Sequence, residues 1–439
     1  MKERLSLVLW LLVIIPVELS GQEILGVQNA VEIGLQNNYA IQIVRNEEQI
    51  AENNDALGNA GFLPRLQASA NQGGSMTSSQ QEYFNGSVND QSNAISRSSS
   101  SGVTLNWTLF DGFQMFATRT KLSELNDLSS REARRVVENT VTDIVNEYYN
   151  IVRQLQRLQV RRDALEISRA RLEIARSKQE LGSGSGLEVM QARADLNADS
   201  SALKRQQVSL ANAKTALNEL LARDLALEFQ VVDSIPLQSQ MPLADLRERL
   251  YRQNSELRQA EIRHRVDQLQ LREIQAERYP ELSLNLGYDF SRSRSESGFL
   301  KSNRSTGYNV GLSATVSLFN GFNVNRRVQN AHIRAQNSQY RLLDVRNRLE
   351  SRLRQVYERY QSSLELVELE RENVGVARQT VEIAREKYQL GTITPLELRE
   401  AQNAFIEAEN RLVDARYEAK SAELQLLQLS GQILGAARR

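Results

Sequence analysis

A motif met near residue 110 returns near residue 320, and its neighbours return with it. Leu109-Phe110-Asp111-Gly112-Phe113 recurs as Leu318-Phe319-Asn320-Gly321-Phe322, Glu173-Ile174-Ala175-Arg176 as Glu382-Ile383-Ala384-Arg385, and Leu181-Gly182 as Leu390-Gly391. All three pairs lie 209 residues apart. Leu63-Pro64 and Tyr279-Pro280 match at 216, so the first copy holds a longer insertion between these landmarks. By length alone, 439 residues allow two or three domains, or one large or repetitive one. A repeat at fixed spacing restricts them to two versions of one plan. We divide the chain into a leader (1–21), a first repeat (22–222), a linker (223–242), a second repeat (243–434) and a tail (435–439).

Within each repeat the hydrophobic period changes in a fixed order. A helical stretch runs from about Val27 to Gly61, matched by about Leu243 to Arg278. Pro64 and Pro280 end these stretches, because proline disfavours helix at the residue before it. Strict alternation follows. Leu282, Leu284, Leu286, Tyr288 and Phe290 face one way, and Tyr308, Val310, Leu312, Ala314, Val316 and Leu318 form a second apolar face. Leu66, Ala68 and Ala70, then Val103, Leu105, Trp107 and Leu109, are the weaker first copy. Segments of about ten residues with one apolar and one small polar face suit a membrane strand. The same alternation describes a half-buried soluble hairpin, and only the context separates the two. Gly73 to Ser100 and Ser291 to Thr306, rich in Ser, Asn and Gln without period, are expected to be solvated loops.

Next come the longest elements. Phe113 to Leu181 and Phe322 to Leu390 contain no proline, in a chain with only six. As helix each reaches about 100 Å at 1.5 Å per residue. After a glycine-containing turn a helix of roughly 35 residues returns. Its seam in the second repeat is Ala401, Phe405, Ala408, Leu412, Ala415, Ala419, Ala422, Leu426 and Leu429. Steps alternating 4 and 3 make the repeat of supercoiled helices. The first seam, Ala192 to Leu220, keeps the register but contains Asp199 and Gln206.

Composition removes several function classes. With 54 basic and 54 acidic side chains the formal charge is zero, against nucleic-acid binding. No cysteine is present, so disulfides, thiolate metal sites and thiol catalysis are excluded. His264 and His332 stand alone, and no cofactor, metal centre or catalytic constellation is expected. Gly182-Ser183-Gly184-Ser185-Gly186 follows a helix rather than a strand and lacks the lysine of a phosphate loop. Leu5 to Val17, apolar apart from Ser6 and preceded by Lys2 and Arg4, is too short to span a bilayer and has the form of a secretory signal. An exported chain without a later apolar helix enters a membrane only as strands.

Two hairpins give four strands, which cannot close a barrel. Open edges in lipid leave backbone groups unpaired at several kcal/mol each, so closure needs further copies. Two copies give eight strands, a barrel filled by its own side chains. Three give twelve and leave a lumen, which the Ser, Asn, Gly and Thr of the inner faces line well. A trimer is therefore the expectation. The rivals are a soluble coiled-coil scaffold, which would wash off membranes, and a carboxylate hydrolase, for which no concentrated polar cluster is found.

The duplicated plan, the Leu-Phe-(Asp/Asn)-Gly-Phe junctions and the Leu-Gly turns resemble TolC-type outer-membrane efflux proteins, from about Val27 to Leu434. The resemblance implies a mostly α chain with a membrane β-barrel. Three copies would form a twelve-stranded barrel in the outer membrane, continued by a coiled-coil barrel of helices in the periplasm. It also implies a homotrimer embedded in outer-membrane lipid that takes substrates from a periplasmic adaptor and, through it, an inner-membrane pump.

The recurring motifs have local readings too. Asp111-Gly112 and Asn320-Gly321 are expected to cap the long helices, Asp and Asn taking orphan N–H groups and Gly a positive φ. Phe110, Phe113, Phe319, Phe322 and Trp107 are read both as an interfacial aromatic belt and as plain packing. Ser185-Gly186-Leu187-Glu188 and Thr394-Pro395-Leu396-Glu397 have the pattern of capping boxes. The resemblance adds a constriction at the tunnel entrance from Glu188, Glu397 and Glu400. It also gives Tyr388 a hydroxyl that ties neighbouring helices, though Ile393 replaces an arginine present in some relatives. Leu181, Gly182, Leu390, Gly391 and Thr392 become the tip that adaptors contact.

Overall fold

The structure, a computed structural model, describes residues 23–238 and 241–436. The leader and the last residues of the tail lie outside them. The first repeat runs β1 (Glu23–Leu25), α1 (Val27–Asn37), α2 (Tyr39–Asn54), β2 (Arg65–Glu82), β3 (Val88–Asp111), α3 (Gln114–Glu180) and α4 (Gly186–Leu220). The linker holds β4 (Phe229–Val231), and the second repeat runs α5 (Leu243–Gln253), α6 (Ser255–Ala276), β5 (Glu281–Ser295), β6 (Ser302–Thr315), α7 (Asn323–Gln389) and α8 (Pro395–Leu429), with a short α9 (Ile433–Ala436) reaching into the tail. The long helices have 67 residues each and the return helices 35.

Each entry helix, expected as one, is two. Asn38 and Asn254 break them, 216 residues apart. The Asn38 carboxamide oxygen accepts from the Ala40 and Ile41 amides, and that of Asn254 accepts from the Leu257 amide, so each starts a new helix. Their amide nitrogens donate to Leu220 O (2.8 Å) and Leu429 O (3.0 Å), the last carbonyls of the return helices. One side chain thus satisfies orphan groups at two helix ends.

The hairpins also differ from expectation. The stretches read as loops are mostly strand, and the turns are only Tyr83–Ser87 and Glu296–Lys301. Ladder pairing joins backbone to backbone, so Ser-, Asn- and Gln-rich segments extend it without an apolar face. In contrast, β6 stops at Thr315, leaving Val316 and Leu318 beyond its end. The sheet order is β2-β3-β5-β6, all antiparallel, with β2 and β6 at open edges.

α3 packs on α2 and α6 near the sheet and on α4 and α8 farther away, while α7 packs on α6 and α8. Arg119–Asp55 and Lys121–Glu273 mark the first level, Arg157–Asp414 the second. The main core sits midway along the long helices, where Val141 to Val152 of α3 and Leu349 to Tyr360 of α7 meet the ends of α4 and α8 and the short elements. There β1 pairs in parallel with β4, and the Tyr148 hydroxyl donates to Leu25 O and accepts from the Val232 amide. Seven of the nine residues of the second seam, from Ala408 to Leu429, are buried. The two polar places in the first seam have partners: Asp199 binds Ser168 and Arg399, and Gln206 donates to Gln154.

Candidate functional site

The register makes the sheet two-faced. Leu66, Leu105, Leu286 and Val310 form one row across all four strands, and Ala68, Val103, Tyr288 and Tyr308 the next. The opposite face carries Gln67, Thr104, Gly287 and Asn309, then Ser69, Gly102, Asp289 and Gly307. The Tyr288 and Tyr308 rings meet at 4.8 Å, tilted by 42°, on the apolar side, and Asn309 donates to Asp289 on the polar side. The apolar side is exposed, Tyr308 by 85% and Val310 by 77%. A continuous oily face backed by a polar one is the wall of a membrane barrel.

Where strand becomes helix, both copies use the same device. Gly112 and Gly321 have φ of 68° and 65°, and Phe113 and Phe322 follow at 71° and 60°. The phenylalanines themselves occupy the helix caps without side-chain bonds. Asp111 still caps, its carboxylate accepting from the Met115 amide at 2.8 Å, and Asn320 reaches the Val324 amide at 3.5 Å. Phe110–Phe113 and Phe319–Phe322 meet edge to face at 5.2 and 5.4 Å. Such ring pairs brace the left-handed phenylalanine, a conformation costly for a residue with a Cβ, after a glycine that adopts it freely. The Trp107 indole donates to Phe62 O (2.9 Å), tying the strand to the segment before β2.

At the far tips the two turns are again alike. Ser183 N donates to Lys178 O and Thr392 N to Lys387 O, with Gly182 and Gly391 at φ 76° and 73°. These are Schellman closures, for which glycine is the usual left-handed residue. Leu181, Leu187, Leu390 and Leu396 stand exposed around them. Thr394 and Glu397 form the full capping box, and the Thr394 amide and hydroxyl hold the Glu397 carboxyl below its usual range. Ser185 and Glu188 form only half of one: Ser185 accepts from the Glu188 amide, and the Glu188 side chain does not reach back. It is half-buried, and its charge, after burial itself, raises the Tyr388 hydroxyl. Glu400 is exposed.

Tyr388 is buried, and the tie it makes runs through its ring and carbonyl. Lys178, in the last turn of α3, lies 3.9 Å over the ring and donates to Tyr388 O, joining the tips of α3 and α7. Two turns higher, Arg171 of α3 pairs with Asp195 of α4, and Arg399 of α8 pairs with Asp199, which also accepts from Ser168. Burial and the nearby Arg399 lower the Arg171 guanidinium. This network fastens the first repeat's hairpin to the second's. Sequence reading missed Ser168, Arg171, Lys178, Asp195 and Arg399. The one trace was Asp199, a charge in an apolar seam. His264, bonded to Ser338 and Gln268, is a structural link between α6 and α7. Among the described residues there is no cluster of metal-ligating side chains, and no helix is long and apolar enough to cross a membrane.

An oily-faced sheet that continues through braced junctions into helices of about 100 Å defines a channel-forming wall rather than a pocket protein. The chain belongs to the outer membrane efflux protein family, which it matches over residues 31–223 and 246–432. Membership places it in the outer membrane. The alkaline protease secretion protein AprF of Pseudomonas aeruginosa is 24% identical over 307 residues, 68% of this chain and 62% of that one, so the chain spans less than two thirds of that relative. Among solved structures, the CmeC outer membrane channel of Campylobacter jejuni superposes with a TM-score of 0.79 at 16% identity, covering 92% of this chain and 85% of that one. VceC of Vibrio cholerae superposes at 0.77 and 18%, covering 92% and 96%.

Proposed function

We propose that three copies close into a passive exit duct of a tripartite efflux or type I secretion system, a barrel of twelve strands opening into a helical tunnel. The observation that carries this reading is the pair of open edges, β2 and β6, on a sheet with an apolar band across one face. Edge strands in lipid must be paired, and another copy supplies the partner. Polar inner rows suit a water-filled lumen. The duct performs no chemistry, and an energised pump acts through an adaptor that contacts the tips at Leu181, Gly182, Leu390, Gly391 and Thr392.

The tips form the entrance. Glu188, Glu397 and Glu400, repeated around a threefold axis, would make it cation-attracting. Tyr388 with Lys178, and Arg399 with Asp199, hold neighbouring hairpins together, while Arg171 with Asp195 ties α3 to α4 within the first, so opening is a shift of α7 and α8 against α3 and α4. Purified protein should require detergent, sediment as three copies, and conduct in planar bilayers. Glu397→Gln with Glu400→Gln should lower the cation preference of the resting pore. A detergent-free monomer would sink the duct, and unchanged selectivity would sink the acidic constriction.

A further inference from the structure

The outward face does not end where its apolar band ends. From Leu282 to Phe290 the band is about 26 Å long at ~3.3 Å per residue. In the next two rows the same face turns cationic. Gln72, Ser99, Arg292 and Arg304 make the first, and Gly74, Arg97, Arg294 and Ser302 the second. Arg292 lies directly opposite Arg304, and Arg97 directly opposite Arg294. Like charges in directly opposed positions destabilise a sheet. Here two such pairs adjoin on neighbouring strands, and no carboxylate shares their rows.

All four arginines are exposed, and among the described residues none of them makes an ion pair. Arg304 lies 5.2 Å over the Phe290 ring, which holds its guanidinium against the sheet at the upper border of the band. Glu296 is the nearby carboxylate. It lines the groove that contains Arg97, Arg294 and Lys301, but its oxygen accepts from the Ile95 amide. Asp289 points to the polar face and is taken by Asn309. A compact group of unpaired guanidiniums beside an aliphatic and aromatic wall fits one kind of ligand. It must be anionic at its head and oily below it, and guanidinium recognises phosphate oxygens in a forked geometry that ammonium cannot copy.

We propose that Arg97, Arg292, Arg294 and Arg304 form a binding site on the lipid face for phosphate groups of outer-leaflet lipids. The inference rests on the duct reading for the orientation of the sheet, helices inward and turns outward. The bound phosphates relieve the opposed charges, so the site anchors the barrel at a fixed height in the outer leaflet.

The test uses the full protein in detergent, with bis-phosphorylated lipid A and its fully dephosphorylated form as probes, and counts bound lipid by native mass spectrometry. The phosphorylated lipid should bind roughly tenfold tighter or more. The fourfold variant Arg97→Gln, Arg292→Gln, Arg294→Gln and Arg304→Gln should lose that preference. The milder pair Arg292→Gln and Arg304→Gln should lose part of it, which covers a failure of the fourfold variant to fold. Arg65→Gln, on the opposite face, should keep it. Equal binding of the two lipids, or a preference that survives the milder pair undiminished, overturns the site. Protein that stays soluble without detergent overturns the duct as well, whereas detergent-dependent protein without phosphate preference overturns the arginine site alone.

Discussion

Gly112 and Gly321 hold the same place in the two repeats but have different surroundings. A Cβ at Gly112 would lie 2.4 Å from the Ala276 carbonyl oxygen and 2.7 Å from Tyr279 Cβ, whereas at Gly321 nothing comes nearer than 3.6 Å. Both carry the left-handed strain, about 1–2 kcal/mol for a residue with a Cβ. Gly112→Ala adds a backbone collision within the chain itself, so it should lower the helix content regained by the single chain on refolding in detergent well beyond Gly321→Ala, read by circular dichroism. A second residue-scale effect is pH. Burial and the charge of Glu423 push Tyr149 and Tyr360 up to about 12. Their folded values exceed their unfolded ones, so their contribution is complete below pH 10 and is lost as pH rises toward 12. Chemical denaturation at pH 9 and pH 11 should show that loss, and Tyr149→Phe with Tyr360→Phe should reduce it.

At the scale of elements, the tip turns offer a comparison within one molecule. Thr394 closes its box from both sides and Ser185 from one. Replacing a capping Thr or Ser by Ala costs about 1 kcal/mol, and the further bond that the Thr394 hydroxyl donates to the Glu397 carboxylate, which Ser185 lacks, should make Thr394→Ala the more damaging. Hydrogen exchange in the first turns of α8 and α4 reads this directly, and equal acceleration would refute it. The elements differ in how openly the sequence declared them. The long helices were legible because 67 residues without proline leave little else to form. The upper hairpins were not, since Gln72–Gln81 and Ser96–Ser101 carry polar side chains on both faces while their pairing uses only backbone. Asn38 and Asn254 were hidden because asparagine inside a helical pattern marks nothing until its partner at Leu220 or Leu429 is known. The ties Arg171–Asp195 and Arg399–Asp199 depend on packing, and Arg399 and Asp199 are 200 residues apart in sequence.

For the whole molecule, the repeat predicts contacts that one chain cannot make. Arg65 pairs with Asn106 and Glu281 with Thr315, which the shifts of 216 and 209 carry onto each other. Applied to Leu105 and Leu286, partners between β3 and β5, the same shifts give Ala314 of one copy against Ala70 of the next. The chain has no cysteine, so Ala70→Cys with Ala314→Cys should yield disulfide-linked dimers and trimers on oxidation, and Leu66→Cys with Ala314→Cys far fewer. In the proposed trimer the open space at Gly321 would face Ala60 of the neighbouring copy, the counterpart of Ala276. Its Ala variant should therefore impair assembly more than folding.

The unequal hairpins shape the outer mouth. β5 ends at Ser295 opposite Ser96, while β3 continues to Val88, so the first hairpin stands about 25 Å taller at ~3.3 Å per residue. In the proposed trimer the rim would be a crown of three towers with notches between them. A flat body settling on the towers would leave those notches open, and cargo could still drain sideways beneath it.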